Sequence, residues 1–469
     1  LCIFSEHLFV FSADDYKVCF SPIINLSKGK ELVDEKDTYT NTRGFIIEAD
    51  LGDKISVFSF FAENQAIFPN YLHDYINRHK VVPGQGYKRL FKEDGFDYAM
   101  SSGYVTLKPI SVFSIQFGHG KNFIGDGYRS LLLSDNSFNY PYLKVQTTKG
   151  RFQYSNLYAE FQDINFYLKN DLTNYDQMGY AKKYMSAHYL SFKLDERINI
   201  SVFESVIWES KANDGAQRFK ARYLNPIEVI AAANTSTQTL DNALVGFNIS
   251  YKLPTYKSYI YAQLIFDDFN FEALKLNEGS WRNQYGYQLG AKMFDAFNVN
   301  HLTVQMEYNL VRPYTYSYHN TMQNYAHYNQ PLAHPLGANF SELLFLADYR
   351  WNRFALDAKL MLTTYGGEIV VDNTSYGNDL YKSTGNFTDV LGNIHVGRPA
   401  DLGITMYQGN VTHLQMSAFN ISYTVNPKTN LKINLGLTIR DFKNDIESLL
   451  TQYINFGIKS DLFNHYYDL

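Results

Sequence analysis

The chain has no run of about eighteen apolar residues, so no membrane-spanning helix is encoded. It has only two cysteines, Cys2 and Cys19, too few for a disulfide framework. Positive charge is not in excess: 42 Lys and Arg stand against 47 Asp and Glu, a net charge of -5. Nucleic acid is therefore not an expected partner, because little is available to neutralise its phosphates. No internal repeat of blade-like period is visible, which argues against a propeller. Catalytic signatures are missing as well. G-x-S-x-G is absent. Gly120-Lys121 is followed by Asn122 and so fails as a phosphate loop, while Gly118 and Gly120 are followed by Phe123 where a dinucleotide fingerprint needs glycine. His327 and His334 match no metal-ligand spacing and have no cysteine nearby. Neither catalysis, metal nor cofactor is expected.

What the chain does have is aromatic side chains, 39 Tyr and 35 Phe among 469 residues, and a period of two. In "LKINLGLTI", Leu431, Ile433, Leu435, Leu437 and Ile439 share one face while Lys432, Asn434 and Thr438 share the other. "HLTVQMEYNLV" sets Leu302, Val304, Met306, Tyr308 and Leu310 against Thr303, Gln305, Glu307 and Asn309. A helix would mix these classes on one face. No long amphipathic helix is expected. Marking such segments predicts about eighteen strands. They start near Val18, Gly44, Ile55, Asp97, Phe113, Tyr142, Ser155, Ala187 and Ile198. The rest start near Asp241, Ser258, Gln284, Leu302, Glu342, Phe354, His413, Leu431 and Gln452.

The spacing also predicts strict alternation of connections. Tight polar turns fall at 52–54, 195–197, 254–257, 352–353 and 426–430, and long connections at 63–96, 120–141, 209–240, 312–341 and 365–410. Short turns on one end and long loops on the other are the habit of outer-membrane barrels. Closure satisfies every backbone group that lipid would leave unpaired, and the tyrosines suit aromatic girdles at the two interfaces. The expected fold is all-β: one transmembrane antiparallel barrel of about eighteen strands over 18–469, with long loops folded inward, in the outer membrane. "YINFGIKSDLFNHYYDL" reads as the closing strand. Residues 1–17 read either as the remnant of a signal peptide or as an ordinary apolar segment.

Two connections draw attention. "FGHGKNFIGDGYRSLLLSDNSFNYPYLKV" combines glycines at 118, 120, 125 and 127 with His119, Lys121, Asp126, Arg129, Asp135 and Asn136, a polar lining if the loop folds into the lumen. A buried Arg129 would then need an acidic partner on the barrel wall or a neighbouring loop. "VRPYTYSYHNTMQNYAHYNQPLAHPLGANFSE" interleaves Arg312, Tyr314, Tyr316, Asn324, Tyr325 and His327, and flat aromatic faces beside amides suit sugar rings. These twelve residues are the candidate polysaccharide contacts. Their other reading is structural, pairing with one another and with the wall.

These two motifs resemble the RemB-type gliding-motility and capsule-assembly barrels of Bacteroidota and, more distantly, the Wzi capsule-assembly proteins. The resemblance covers the chain from about Val81 onward. It implies an eighteen-strand outer-membrane barrel, inward-folded loops, and a surface lectin holding capsular polysaccharide, with a link to gliding and adhesion in the RemB group. In Wzi the segment matching 118–141 reads Trp-Trp-Gly-Pro-Gly and then Ser-Leu-Ile-Leu-Ser-Asn-Asn. Here the tryptophans are missing and His119, Lys121 and Phe123 take their place. The helical plug of Wzi has no counterpart before Val18. The expected function is thus non-enzymatic binding or organising of surface polysaccharide by a barrel expected to be monomeric in lipid. The alternatives are a diffusion channel or transporter, and adhesion or motility without glycan binding.

Overall fold

A computed structural model describes residues 7–167, 180–209, 223, 241–267, 278–369, 374–388, 394–460 and 466–469. Eighteen antiparallel strands close into one barrel. In chain order they are β1 (Tyr16–Glu31), β2 (Lys36–Leu51), β3 (Ile55–Ile67), β4 (Gly95–Ile110), β5 (Phe113–Gly120) and β6 (Tyr140–Lys149). There follow β7 (Phe152–Tyr167), β8 (Tyr180–Lys193), β9 (Ile198–Glu209), β10 (Asn242–Leu253), β11 (Ser258–Asp267) and β12 (Gln284–Phe294). The ring is completed by β13 (Leu302–Val311), β14 (Phe340–Trp351), β15 (Phe354–Gly367), β16 (Asn410–Asn426), β17 (Leu431–Lys443) and β18 (Ser448–Ser460). Closure joins β18 to β1 from Lys459↔Asn25 to Tyr453↔Glu31. The other half of β1, Tyr16 to Phe20, pairs with a short strand at Phe9–Ala13.

All eighteen expected strands are present, and many start where the alternation begins, including Ile55, Phe113, Ile198, Ser258, Gln284, Leu302, Phe354 and Leu431. β2 and β8 start well before their expected Gly44 and Ala187, at Lys36 and Tyr180. Near the loop end the ladder continues where the apolar alternation has faded, as the pairs Thr40↔Ser27 and Asp37↔Lys30 show.

Alternation sorts the faces as a large barrel requires. Phe117, Leu289, Leu435 and Phe456 stand exposed on the outer wall, while Gln288, Glu307 and Asn309 are buried inside. Among the described residues no helix is long and apolar enough to cross a membrane. One helix lies in the connection expected as a plain loop, α1 (Asn70–His79), which buries Leu72 and Ile76 against Phe68 and Phe96.

Two expectations need correction. Alternation of turn lengths is not strict, because the connections at 32–35 and 444–447 are tight turns on the long-loop end. They flank the seam, where no plug segment leaves the wall. The closing strand also stops sooner than expected. It ends at Ser460, and Tyr466–Leu469 lie inside the barrel with Tyr466 and Asp468 buried. The reason is electrostatic, since Asp468 meets two cations of the lumen there. The connection expected at 209–240 lies, Glu209 and Tyr223 apart, outside the described residues.

Candidate functional site

The lumen is occupied by the connection 121–139, and its backbone explains the glycines. The chain runs so close to the wall at Gly127 that a Cβ there would meet Glu307 Oε2 at 2.4 Å. That approach lets the Glu307 carboxylate accept from the backbone N–H groups of Tyr128 (2.8 Å) and Arg129 (3.1 Å). Glu307 also accepts from the Tyr261 hydroxyl at 2.7 Å and Asn309 Nδ2 at 3.0 Å. A glycine-rich strand-to-loop passage thus docks on a buried carboxylate, with no phosphate involved.

Arg129 is 1% exposed and carries the expected acidic partnership. Its guanidinium donates to Glu342 Oε1 at 3.3 Å, on β14, and to Asp468 at Oδ1 (3.4 Å) and the backbone carbonyl (3.0 Å). It lies over the rings of Tyr128 and Tyr466, at 5.0 and 5.6 Å. Burial opposes its charge, but Asp468 and Glu342 outweigh that and hold the arginine more firmly protonated than usual. Glu342 takes a further bond from His334 Nε2 at 2.8 Å. His334 Nδ1 accepts from Leu336 N, so its proton sits on Nε2. Burial pushes His334 below its ordinary value, with Glu342 acting against it. Asp468 is completed by Lys359 Nζ at 2.6 Å and the Tyr128 hydroxyl at 2.8 Å. Burial disfavours its charge, yet Arg129 and Lys359 hold its carboxyl well below the usual range. Glu307, Glu342, Lys359, His334 and Asp468 were not among the candidates. Only Arg129, a charge beside "LLL" and glycines, signalled that such partners must exist.

The second connection, 312–339, is zipped to the first. The hydroxyls of Tyr316 and Tyr325 donate to the carbonyls of Leu131 and Leu132, both at 2.7 Å, and their rings stack with centroids 5.6 Å apart. Ser134 N donates to Leu332 O at 2.8 Å, and Asn136 Nδ2 to Pro331 O at 2.8 Å. Leu131, Leu132 and Leu133 are fully buried with Phe203, Ile207 and Leu244 of the wall. Asn324 receives Lys183 Nζ at 2.7 Å on its carbonyl and donates to Leu380 O at 2.8 Å. His327 accepts from Gln162 N at 3.0 Å and lies 3.2 Å from Asn139 O, which fixes its proton on Nε2. Burial takes it down to about 3, so it is neutral. Tyr314 donates to Ser375 O at 3.0 Å from a left-handed backbone of φ 70°.

The remaining candidates also meet protein. Lys121 Nζ donates to Gly84 O at 2.7 Å, tying the plug to the α1 connection, and burial takes it down to about 8. Asp126 accepts from Asn248 Nδ2 at 2.7 Å and from the Tyr259 hydroxyl. Asp135 accepts from the Tyr466 hydroxyl at 2.8 Å. His119 sits at the top of β5 with its ring 6.1 Å from Phe138. Arg312 stands apart, bonded at Nε to Asn283 O at 2.8 Å. The structure therefore brings eleven of the twelve candidates into or beside one plug and leaves Arg312 outside it. Seven of them, Arg129, Asn136, Tyr314, Tyr316, Asn324, Tyr325 and His327, are buried. Among the described residues no group of three or more His, Cys, Asp or Glu could hold a metal.

No protein-family model matches the chain, and no curated protein matches it in sequence. Solved structures do match in fold. One is Wzi of Escherichia coli, described as an outer-membrane protein involved in group 1 capsule assembly and a carbohydrate-binding β-barrel. It is 13% identical, with a TM-score of 0.54, over 95% of this chain and 84% of that one. Others are OprD of Pseudomonas aeruginosa (10% identity, TM-score 0.48, 97% of this chain and 98% of that one) and OpdK of the same organism (9%, 0.48, 96% and 98%). With its apolar outer belt, closed ring and plugged lumen, the chain has the fold of an outer-membrane β-barrel of the Wzi kind, and the outer membrane is where it resides.

Proposed function

We propose that this barrel is a non-enzymatic, monomeric surface protein that binds or organises exported polysaccharide at its long-loop end. The observation that carries the reading is the plug. Arg129, locked between Glu342 and Asp468, fixes loop 121–139 across the lumen. An open diffusion pathway needs a wet lumen whose polar groups are free to meet solute. Here the charged groups of the plug, Lys121, Asp126, Arg129 and Asp135, are spent on protein partners. The likeness to a carbohydrate-binding barrel supports the same reading, and the RemB-type resemblance adds a role in gliding or adhesion of a Bacteroidota cell. Because the buried candidates hold the plug, the glycan contacts belong to groups above it, such as the exposed His319 and the adjoining Tyr318, whose rings lie 4.2 Å apart.

The test is capsule retention in a deletion strain, paired with binding of purified barrel to that polysaccharide. The proposal expects shed polymer without the protein, and direct binding in vitro. Normal retention together with no binding would contradict it. Loss of gliding with intact retention would leave motility as the role.

A further inference from the structure

The outer wall carries a cluster of arginines that the plug does not use. On β12, Gln284, Gly286 and Gln288 face the lumen, so Tyr285, Tyr287 and Leu289 face outward. On β13, Val311 is buried inside and Arg312 follows it on the outer side, its N–H extending the ladder to Tyr285 O at 2.9 Å. Below this point the wall is a membrane surface. The rings of Tyr287 and Tyr308 lie 6.0 Å apart, above exposed Leu289 and Met306. Arg312 and Tyr285 therefore sit at the upper edge of the apolar belt, where an aromatic girdle meets lipid headgroups.

Two more arginines are fixed beside them. Gly403 N to Glu278 O (2.8 Å), Ile404 N to Gly279 O (2.8 Å) and Trp281 N to Asp401 O (3.0 Å) zip two connections together. The indole of Trp281 then meets two guanidinium groups, Arg398 at 3.9 Å from its centroid and Arg282 at 5.7 Å. Arg312 reaches the same corner, donating to Ile404 O at 3.4 Å, with its guanidinium 5.6 Å over Tyr285. Of the three cations only Arg398 has a carboxylate, Asp401 Oδ1, met by Nη2 at 2.6 Å and Nε at 2.7 Å, while its Nη1 donates to Thr384 O. Among the described residues Arg282 and Arg312 have none. One exposed arginine would simply be solvated. Three around one corner, with only Asp401 paired to them among the described residues, at the rim of an apolar wall, call for an anion at that height.

We propose that Arg282, Arg312 and Arg398 form a headgroup site for a phosphate-bearing glycolipid of the outer leaflet. Arginine forks match phosphate oxygens, while Trp281 and Tyr285 pack where the headgroup gives way to acyl chains. A lipid is favoured over the exported polymer because the cluster adjoins the membrane belt, away from the mouth of the barrel. The site would anchor this flank of the protein in its leaflet, whatever the loop end holds.

The test titrates the purified full-length barrel in detergent with three probes, followed by native mass spectrometry. They are a bis-phosphorylated lipid A, the same glycolipid after phosphatase treatment, and trigalacturonate. The phosphorylated form should bind about tenfold more tightly than the dephosphorylated one. Arg282→Gln, exposed and remote from the plug, should lose about the same factor, and added salt should shrink the difference. Arg398→Gln should do likewise. Equal binding of the two glycolipids, or an unchanged Arg282→Gln, would overturn the site. Trigalacturonate binding as tightly as the glycolipid would overturn the lipid assignment.

Discussion

Two sides of the lumen hold the plug in different ways. On the side built by β11 to β15 the wall presents Gln263, Gln288, Glu307, Asn309, Glu342 and Lys359, and each of them reaches the plug, its Asp468 anchor or a neighbour that does. On the seam side, β1 to β4 with β18, the wall leaves a cavity of about 90 Å³ lined by Ile23, Thr42, Phe60, Asn64, Met100 and Tyr467. On that side the loop makes a direct wall bond from Asn139 Nδ2 to Ser101 O of β4 at 2.5 Å, and the α1 connection meets the C-terminal tail where Gln85 donates to the Tyr467 hydroxyl at 2.9 Å. One side is bonded through buried charge, the other through looser polar and apolar contact. The contrast teaches that occlusion depends on which charges stay paired, more than on how completely the lumen is filled.

The largest break should come from the bonded side. Arg129→Ala leaves Glu342 and Asp468 buried with less compensation, and removing one member of such a buried set costs about 3–5 kcal/mol. Loop 121–139 should become sensitive to protease in folded, membrane-inserted protein, while the barrel itself still assembles and resists.

Acid should act next. His327 ordinarily titrates near 6.5 but is held down to about 3 by burial in the plug. The released loop binds the proton that the docked loop refuses, so docking is fully stable above about pH 6.5. It weakens as pH falls from there toward 3, with no further loss from this group below that. Hydrogen-exchange protection across 312–339, taken relative to the intrinsic exchange rate at each pH, should fall in that window. His327→Gln should shift or remove this acid step, and a wild-type profile flat from pH 7 to 4 would contradict the assignment.

The smallest effect belongs to the seam. Asn64 accepts from Thr42 Oγ1 at 2.7 Å and donates to Tyr98 O at 3.3 Å beside the cavity. Asn64→Ala should cost about 1 kcal/mol, the ordinary worth of such bonds, as a modest drop in the heat-unfolding temperature. The plug should stay protease-resistant. If it were released as readily as in Arg129→Ala, the asymmetry between the two sides would fail.

Much of the fold was legible because lipid and water impose a period of two on every wall strand. It stopped being legible where that contrast ends. Lys36–Arg43 carries no clean alternation, yet it pairs residue by residue with β1, since hydrogen bonding persists above the apolar belt. The ten-residue α1 was missed because so short an apolar stripe, Leu72 and Ile76, is ambiguous without Phe68 and Phe96 to receive it. Within the site, Arg129 could be singled out from its glycine-rich, leucine-rich surroundings, and its need for an acidic partner followed from the cost of buried charge. The identity of that partner could not be read. Glu342 looked like one more residue at the start of a strand, and Asp468, 339 positions away along the chain, looked like the end of a strand. In the aromatic loop, Tyr316 and Tyr325 turn their hydroxyls to the carbonyls of Leu131 and Leu132 and away from solvent, which the spacing alone does not show. Composition shows that such groups are plentiful. Only the packing shows whom they face.

The central claim is that a charge-pinned plug closes this barrel, and single-channel recording tests it most directly. Purified wild-type protein and Arg129→Ala should be inserted into planar bilayers under the same salt and voltage. The account predicts a wild type that stays essentially silent, and a variant that gives discrete, ohmic openings from an intact barrel. Large steady currents through the wild type, or a variant that remains as tight as the wild type, would contradict it.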